Sequence, residues 1–102
     1  MKTIKAKNER FKNARDFGRA LGLSDLEMEL IRQKKRLIEK LKDARIKKGI
    51  SQAALAEQVG SKQPAIARME SGQVSEVSMD FLTKVALTLA VPITIRPIGE
   101  AA

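Results

Sequence analysis

The sequence contains neither cysteine nor histidine, and its only aromatic residues are three phenylalanines among 102 residues. Without cysteine there can be no disulfide framework. The absence of both cysteine and histidine excludes a structural zinc site and imidazole acid–base catalysis. We therefore expect no cofactor and no metal. Hydrophobic residues still make up 43% of the chain, so the core must be built from aliphatic side chains and methionine.

Long apolar runs are also missing. No stretch approaches the ~20 apolar residues of a membrane-spanning helix, and the first residues lack the apolar core of a secretory signal. We expect a cytoplasmic, nucleoid-associated protein with no membrane partner. Serine, lysine and aspartate occur, but no spacing suggests a nucleophile with its base, and there is no glycine-rich phosphate loop. The sequence therefore predicts that the protein is not an enzyme.

Positive charge is abundant and unevenly distributed. The formal net charge is +8. Residues 1–50 hold 16 Lys and Arg against 7 Asp and Glu, or +9, whereas residues 51–102 hold 4 against 5, or −1. A basic surface favours nucleic acid through phosphate contacts and counterion release. The alternative is a solvated face that merely repels its neighbours.

The stretch from Gln52 to Glu70 carries the most specific pattern in the chain. Two short helical patterns meet there at Gly60, where a helix ends and the chain turns tightly, often with positive φ. Apolar residues recur at helical spacing on both sides of this glycine, at Leu55, Ala56, Val59, Ile66 and Met69. The small Ala56 allows a second helix to cross closely. This pattern predicts a helix-turn-helix, and the alternative is a helical hairpin that binds only protein.

The polar residues around this turn favour the DNA-binding interpretation. Gln63 can make a bidentate pair with adenine, and Arg68 or Lys62 can reach guanine or a phosphate. Ser51 can cap the first helix, and Ala65 can touch a thymine methyl group. The candidate DNA-binding residues are Ser51, Gln52, Ser61, Lys62, Gln63, Ala65 and Arg68.

These residues, with the Ser71-Gly72 that follows, resemble the helix-turn-helix of the lambda-repressor/Cro-like (XRE) family. The similarity extends from about Leu37 to Leu89. It implies an all-α, lambda-repressor-like bundle, which we place at residues 35–90. It also implies a structural ion pair between Arg45 and Glu70, and the alternative is two separate surface charges.

Residues 1–34 form a basic arm and a predicted N-terminal helical extension. A short helix is expected from Asn13 to Leu21, and the capping box that begins at Ser24 opens a helix that runs to Lys48. The apolar residues in the first half of this helix, Leu26, Met28, Leu30 and Ile31, lie beyond what the core of the bundle can cover. They pack on this chain, on a second copy or on another protein. The partner-binding candidates are Phe11, Phe17, Leu26, Leu30 and Ile31.

The last segment, residues 91–102, changes character. Val91, Ile93 and Ile95 alternate with Pro92, Thr94 and Arg96, which is the period of a β-strand. A single strand is unstable alone, so the prediction is a two-stranded antiparallel pair across a homodimer axis, with a floppy tail as the alternative. Such a dimer predicts a palindromic double-stranded DNA operator.

The layout as a whole resembles HigA- and HipB-type antitoxins, which bind a cognate toxin and repress their own operon. This resemblance implies a sequence-specific repressor that is the antitoxin of a type II toxin–antitoxin pair. The alternative is a stand-alone or phage-type XRE regulator with no toxin partner.

Overall fold

The computed structural model describes residues 14–97. Within that range the secondary structure is helical, with five α-helices and one short 3₁₀ turn. The helices are α1 (Ala14–Ala20), α2 (Asp25–Lys47), α3 (Gln52–Val59), α4 (Gln63–Glu70) and α5 (Met79–Leu89), with the 3₁₀ turn at Val74–Glu76 between α4 and α5. None of the helices in this range is long and apolar enough to cross a membrane.

The chain divides into two compact units, Met1–Leu30 and Ile31–Ala102. In the described part of the first unit, the capping box forms as predicted. The Ser24 N–H donates to Glu27 Oε1 at 2.9 Å, and the Glu27 N–H donates to Ser24 Oγ at 3.0 Å. These two bonds satisfy donors that the start of a helix leaves without partners, so they explain why α2 begins here.

The core of the second unit is aliphatic. It draws side chains from α2, α3, α4 and α5, and one more from the loop before α5. Its buried members are Leu37, Ile38, Leu41, Leu55, Ala56, Ile66, Met69, Val77, Leu82, Val85, Ala86 and Leu89. In α2, α4 and α5 these positions recur every three or four residues, which is the spacing that buries one helix face. The described residues contain no buried charged side chain that lies outside an ion pair.

Local signals define the turn between α3 and α4. Ser51 Oγ accepts the Ala54 N–H at 3.0 Å and caps α3. Gly60 ends α3 with φ of +81°, a conformation that glycine adopts without steric cost. Pro64 lies in the first turn of α4, where its missing N–H costs nothing. Ala56 is 2% exposed, as the close crossing of α3 and α4 requires.

The last helix is capped at both ends. Ser78 Oγ accepts the Phe81 N–H at 3.1 Å and begins α5. Ala90 ends it in the left-handed region with φ of +59°, and the Val91 N–H then returns to the Ala86 carbonyl at 2.9 Å. Glycine is the usual residue at such a position because Ala pays a steric penalty there.

The predicted strand at Val91, Ile93 and Ile95 is wrong for the described chain, since residues 14–97 contain no strand. Val91 and Ile93 instead pack against the aliphatic core. The Gln33 side chain takes the place of a neighbouring strand. Its Nε2 donates to the Arg96 carbonyl at 2.7 Å, and its Oε1 accepts the Arg96 N–H at 3.0 Å. The alternating pattern therefore reflects packing within this chain, because one segment alone has no ladder to join.

Candidate nucleic-acid interface

The outer face of α4 is polar and its inner face is apolar. Ile66 and Met69 are fully buried, whereas Lys62, Gln63 and Arg68 are exposed. Ala65 lies between the two faces and is half-buried. Successive residues on a helix are about 100° apart. When Ile66 and Met69 are buried in the core, the polar side chains on the opposite face of α4 therefore point into solvent. This arrangement suits a helix laid into the DNA major groove.

The two serines of the candidate set lie at the ends of α3. Ser51 is exposed, and its hydroxyl accepts the capping bond from Ala54, so it keeps its own O–H as a donor for a phosphate. Ser61 is half-buried, and its N–H donates to the Ala56 carbonyl at 2.8 Å. Lys62 precedes α4 and makes no side-chain cap, which leaves its ammonium group outside the helix.

Arg45 on α2 and Glu70 on α4 form a bidentate ion pair. Arg45 Nε donates to Glu70 Oε2 at 2.7 Å, and Nη2 donates to Oε1 at 3.0 Å. Arg45 Nη1 also donates to the Ile50 carbonyl at 2.8 Å. The Arg45 and Glu70 side chains are only 13% and 4% exposed. One guanidinium therefore holds together α2, the loop before α3 and the end of α4, in the forked geometry that arginine provides.

The environment of the pair shifts both protonation equilibria. Burial alone would raise the pKa of Glu70, but hydrogen bonds from Arg45 and Gln52 and the nearby charges of Arg45 and Lys42 outweigh it and lower the pKa. The hydrogen bond to Glu70 raises the pKa of Arg45, against the opposing effect of burial. Both groups are therefore charged at neutral pH, and the folded state favours the ionised carboxylate.

The lowered pKa predicts a specific dependence of stability on pH. A carboxyl group with a depressed folded pKa stabilises the fold fully above its unfolded pKa, and the contribution disappears as pH falls through the folded value. We expect Glu70→Gln to lower the free energy of unfolding at pH 7 by about 1.5–3 kcal/mol. The difference from the wild type should shrink as pH falls below the ordinary value of 4.5. Urea unfolding at several pH values measures it, and a difference independent of pH would contradict the assignment.

Gln52 and Gln63, at the first positions of α3 and α4, are joined directly. Gln63 Nε2 donates to Gln52 Oε1 at 2.7 Å, and Gln52 Nε2 donates to Glu70 Oε1 at 3.0 Å. Gln63 is exposed and Gln52 is half-buried. The Gln52 amide therefore uses its oxygen and one N–H in hydrogen bonds within the protein, and its second N–H is left to bind DNA.

The sequence did not reveal the hydrogen bonds that join Gln52 to Gln63 and to Glu70. The signal that would have found them is a glutamine at the first position of each helix in the helix-turn-helix, together with the carboxylate at the end of α4. The sequence analysis also did not predict the contact of Lys34. Its Nζ donates to the Val74 carbonyl at 3.0 Å and connects α2 to the 3₁₀ turn.

The remaining candidates lie away from α4. Among the partner-binding candidates, Leu26 is 67% exposed, Leu30 51% and Phe17 45%. Ile31 is half-buried, and Phe11 lies outside the described residues. Among the dimerisation candidates, Val91 and Ile93 are half-buried, whereas Ile95 is 74% exposed.

Comparison with known proteins gives one family match. A family model described as helix-turn-helix matches residues 41–95, which is more than half of the chain. Searches of curated proteins and of solved structures gave no significant match. The matched segment contains α3, the turn at Gly60, α4 and the Arg45–Glu70 pair. On this match, and with the bundle and the exposed face of α4 described above, the chain belongs to the XRE-type helix-turn-helix family of DNA-binding transcription regulators.

Proposed function

We propose that this protein is a sequence-specific, cytoplasmic transcription repressor without enzymatic activity, and that α4 enters the major groove of its operator. The observation that carries the proposal is the exposed polar face of α4, which is braced from behind by Ile66, Met69 and the Arg45–Glu70 pair. A rigid support matters because a hydrogen bond to a base edge discriminates only when the side chain is already in place.

Gln63 and Arg68 would contact base edges, and Ser51 and Lys62 would hold the phosphate backbone. Basic residues of the N-terminal half would add further phosphate contacts, since residues 1–50 carry +9. The half-buried Ala65 offers only a methyl group, which suits a thymine methyl at the edge of the interface. Specificity would therefore depend on few polar contacts, chiefly on Gln63.

The proposal includes a homodimer. Two apolar side chains in the C-terminal part of the second unit are strongly exposed in the single chain, Leu87 at 77% and Ile95 at 74%. A second copy that covers these side chains would remove apolar surface from water. A two-fold dimer would place two copies of α4 about 34 Å apart along the duplex and would select a palindromic operator.

Gln63→Ala is the direct test of sequence-specific binding. Purified wild-type protein first selects its preferred duplex from a random library, and fluorescence anisotropy then measures affinity for that duplex and for random DNA. We expect the variant to lose about 1–3 kcal/mol of binding free energy on the selected duplex and little on random DNA. Gln58→Ala, at an exposed glutamine on α3, is the matched control and should bind as the wild type does.

Two results would count against the proposal. Equal losses on both duplexes would show that Gln63 only positions the protein. A wild-type affinity that is insensitive to salt between about 50 and 200 mM would contradict phosphate binding altogether, because counterion release makes duplex affinity fall steeply over that range.

We further propose that the repressor is the antitoxin of a type II toxin–antitoxin pair. The support comes from the first unit, where Leu26 and Leu30 are both more than half exposed. They are four residues apart on α2 and so lie on one helix face. An apolar face of this kind suits a protein partner. A stand-alone regulator without a toxin remains the alternative, and in that case the same face would serve the dimer or the fold.

A paired pull-down separates the two roles. Tagged wild-type protein and Leu26→Asp/Leu30→Asp are captured from the source cell at moderate salt after nuclease treatment. A small protein recovered in stoichiometric amount with the wild type and lost with the variant supports the antitoxin role. Recovery of only a second copy of this chain, in both samples, supports the stand-alone regulator. Circular dichroism of the variant verifies that its helices remain.

A further inference from the structure

A small cavity lies in the second unit, between α2 and the C-terminal segment, residues 91–97. Of the described residues that line it, three are basic and none is acidic. They are Gln33, Arg36, Leu37 and Lys40 from one face of α2, and Pro92, Thr94 and Arg96 from the C-terminal segment. The cavity has a volume of about 50 Å³. A single water needs about 10–15 Å³ of such space, so the cavity accommodates a group of a few atoms, such as one phosphate.

Gln33 fixes the position of Arg96 at this cavity. The Gln33 Nε2 donates to the Arg96 carbonyl at 2.7 Å, and Gln33 Oε1 accepts the Arg96 N–H at 3.0 Å. Both bonds go to the backbone, so they hold the C-terminal segment in place without using the guanidinium group. Arg96 is thereby kept at the same cavity as Arg36 and Lys40.

The three cations of the cavity have no counter-charge. Within residues 14–97, the side chains of Arg36, Lys40 and Arg96 take part in no ion pair and donate no hydrogen bond. Arg36 and Arg96 are half-buried. A cleft lined by charges of one sign concentrates ions of the opposite sign. Arginine and lysine are also the side chains that bind phosphate, arginine through its forked donors and lysine as a point charge. The cavity is therefore suited to a phosphate group.

The face of α2 that lines the cavity is turned away from α4. Arg45, on the same helix, contacts Glu70 at the end of α4. At about 100° per residue, Gln33, Arg36 and Lys40 lie about 120–180° around the helix from Arg45. A duplex held by α4 would approach from the Arg45 side. The position of the cavity thus favours a phosphate that is not part of that duplex.

We propose that this cavity binds one phosphate group of a small soluble molecule. Arg36, Lys40 and Arg96 neutralise its charge, and the Thr94 hydroxyl is available to donate to it. Gln33 is a positioning residue, because it holds the backbone of Arg96 rather than the ligand. The bound group would join α2 to the C-terminal segment. The inference goes beyond the proposed function and does not depend on it, since it involves neither DNA nor α4.

Titration calorimetry with inorganic pyrophosphate tests the proposal, at constant ionic strength and without divalent metal ions. We expect saturable binding of one pyrophosphate per chain. Arg96→Gln should weaken it roughly 10- to 150-fold, which corresponds to the loss of one hydrogen bond from a charged donor. Lys84→Gln removes the same charge from an exposed position on α5 that does not line the cavity. This matched control should bind as the wild type does.

Gln33→Met separates a built site from attraction to a basic surface. The substitution removes both hydrogen bonds to the Arg96 backbone and leaves the net charge unchanged. We expect the affinity for pyrophosphate to fall at least about fivefold, because Arg96 is no longer held at the cavity. Gln58→Met, at an exposed amide on α3, is its control and should keep the wild-type affinity. Circular dichroism verifies that each variant retains its helices.

Three results would overturn the inference. The first is an absence of saturable binding, or an equal loss in Arg96→Gln and Lys84→Gln, since either would indicate diffuse attraction alone. The second is a wild-type affinity in Gln33→Met. The third is a loss of affinity for random duplex DNA that is larger in Arg96→Gln than in Lys84→Gln, which would assign the cavity to the DNA backbone. A protein that selects no DNA sequence but binds pyrophosphate as expected would overturn the proposed function and support this inference.

Discussion

Arg45→Met should lower the free energy of unfolding by about 3–5 kcal/mol, which is what removal of one partner costs in a buried ion pair. Methionine fills similar space but leaves the Glu70 carboxylate, 4% exposed, without its counter-charge. It also removes the donor to the Ile50 carbonyl. Since whole domains are stable by only about 5–15 kcal/mol, a loss of this size brings the protein close to its unfolding threshold. Urea denaturation followed by circular dichroism measures it.

Arg36→Met is the matched control, because it makes the same change earlier on α2 and outside the Arg45–Glu70 network. Its effect should stay below about 1 kcal/mol, as is usual for substitutions away from the core. If Arg45→Met melts within error of the wild type, the pair is dispensable for the fold, and the bracing of α4 by Glu70 must be abandoned.

Leu82→Ala should lose about 2–5 kcal/mol, whereas Leu87→Ala should lose less than about 0.5 kcal/mol. Both leucines lie on α5, but Leu82 is fully buried and Leu87 is 77% exposed. Removal of three carbon atoms at the buried position leaves a cavity between helices and removes packing contacts. Denaturation at a concentration where the protein is monomeric isolates this difference.

The same pair of variants bears on assembly. If a second copy covers Leu87, Leu87→Ala should weaken dimerisation and leave the stability of the monomer unchanged. Sedimentation equilibrium over a range of concentrations measures the dimer constant. A Leu87→Ala protein that dimerises as the wild type does would remove Leu87 from the proposed interface.

The helix-turn-helix was predictable because its first helix and its turn depend on local signals. Ser51 caps α3, Gly60 ends it in the left-handed region, and Pro64 lies in the first turn of α4. Each signal concerns residues only a few positions apart, so the sequence displays it directly. The family match over residues 41–95 covers this same part of the chain.

The predicted strand failed for a physical reason. Alternation of apolar residues at Val91 and Ile93 is compatible with a strand, but also with a segment that lays alternate side chains on a core. The choice depended on Gln33, which is 63 residues from Arg96 in sequence. No local pattern indicates that a glutamine on α2 will hydrogen-bond to this segment.

The hydrogen bonds that join Gln52 to Gln63 and to Glu70 were missed on similar grounds. The sequence predicted that Gln52 and Gln63 would each contact DNA independently of the other, because both lie in the first turn of a helix of the helix-turn-helix. In the folded protein, Gln63 Nε2 lies 2.7 Å from Gln52 Oε1, and Gln52 also donates to Glu70. The local sequence pattern thus predicted where the DNA-binding surface lies. The role of each residue in that surface depended on contacts between helices, which the pattern does not show.

The hydrogen bonds from Gln33 to Arg96 limit how the C-terminal segment could pair with another molecule. A chain segment can pair along two edges, and at Arg96 the glutamine already occupies both backbone groups of one edge. Pro92 and Pro97, which flank this stretch, have no N–H with which to extend a ladder. The Arg96 backbone groups on this edge are therefore not available to a β-ladder with another molecule.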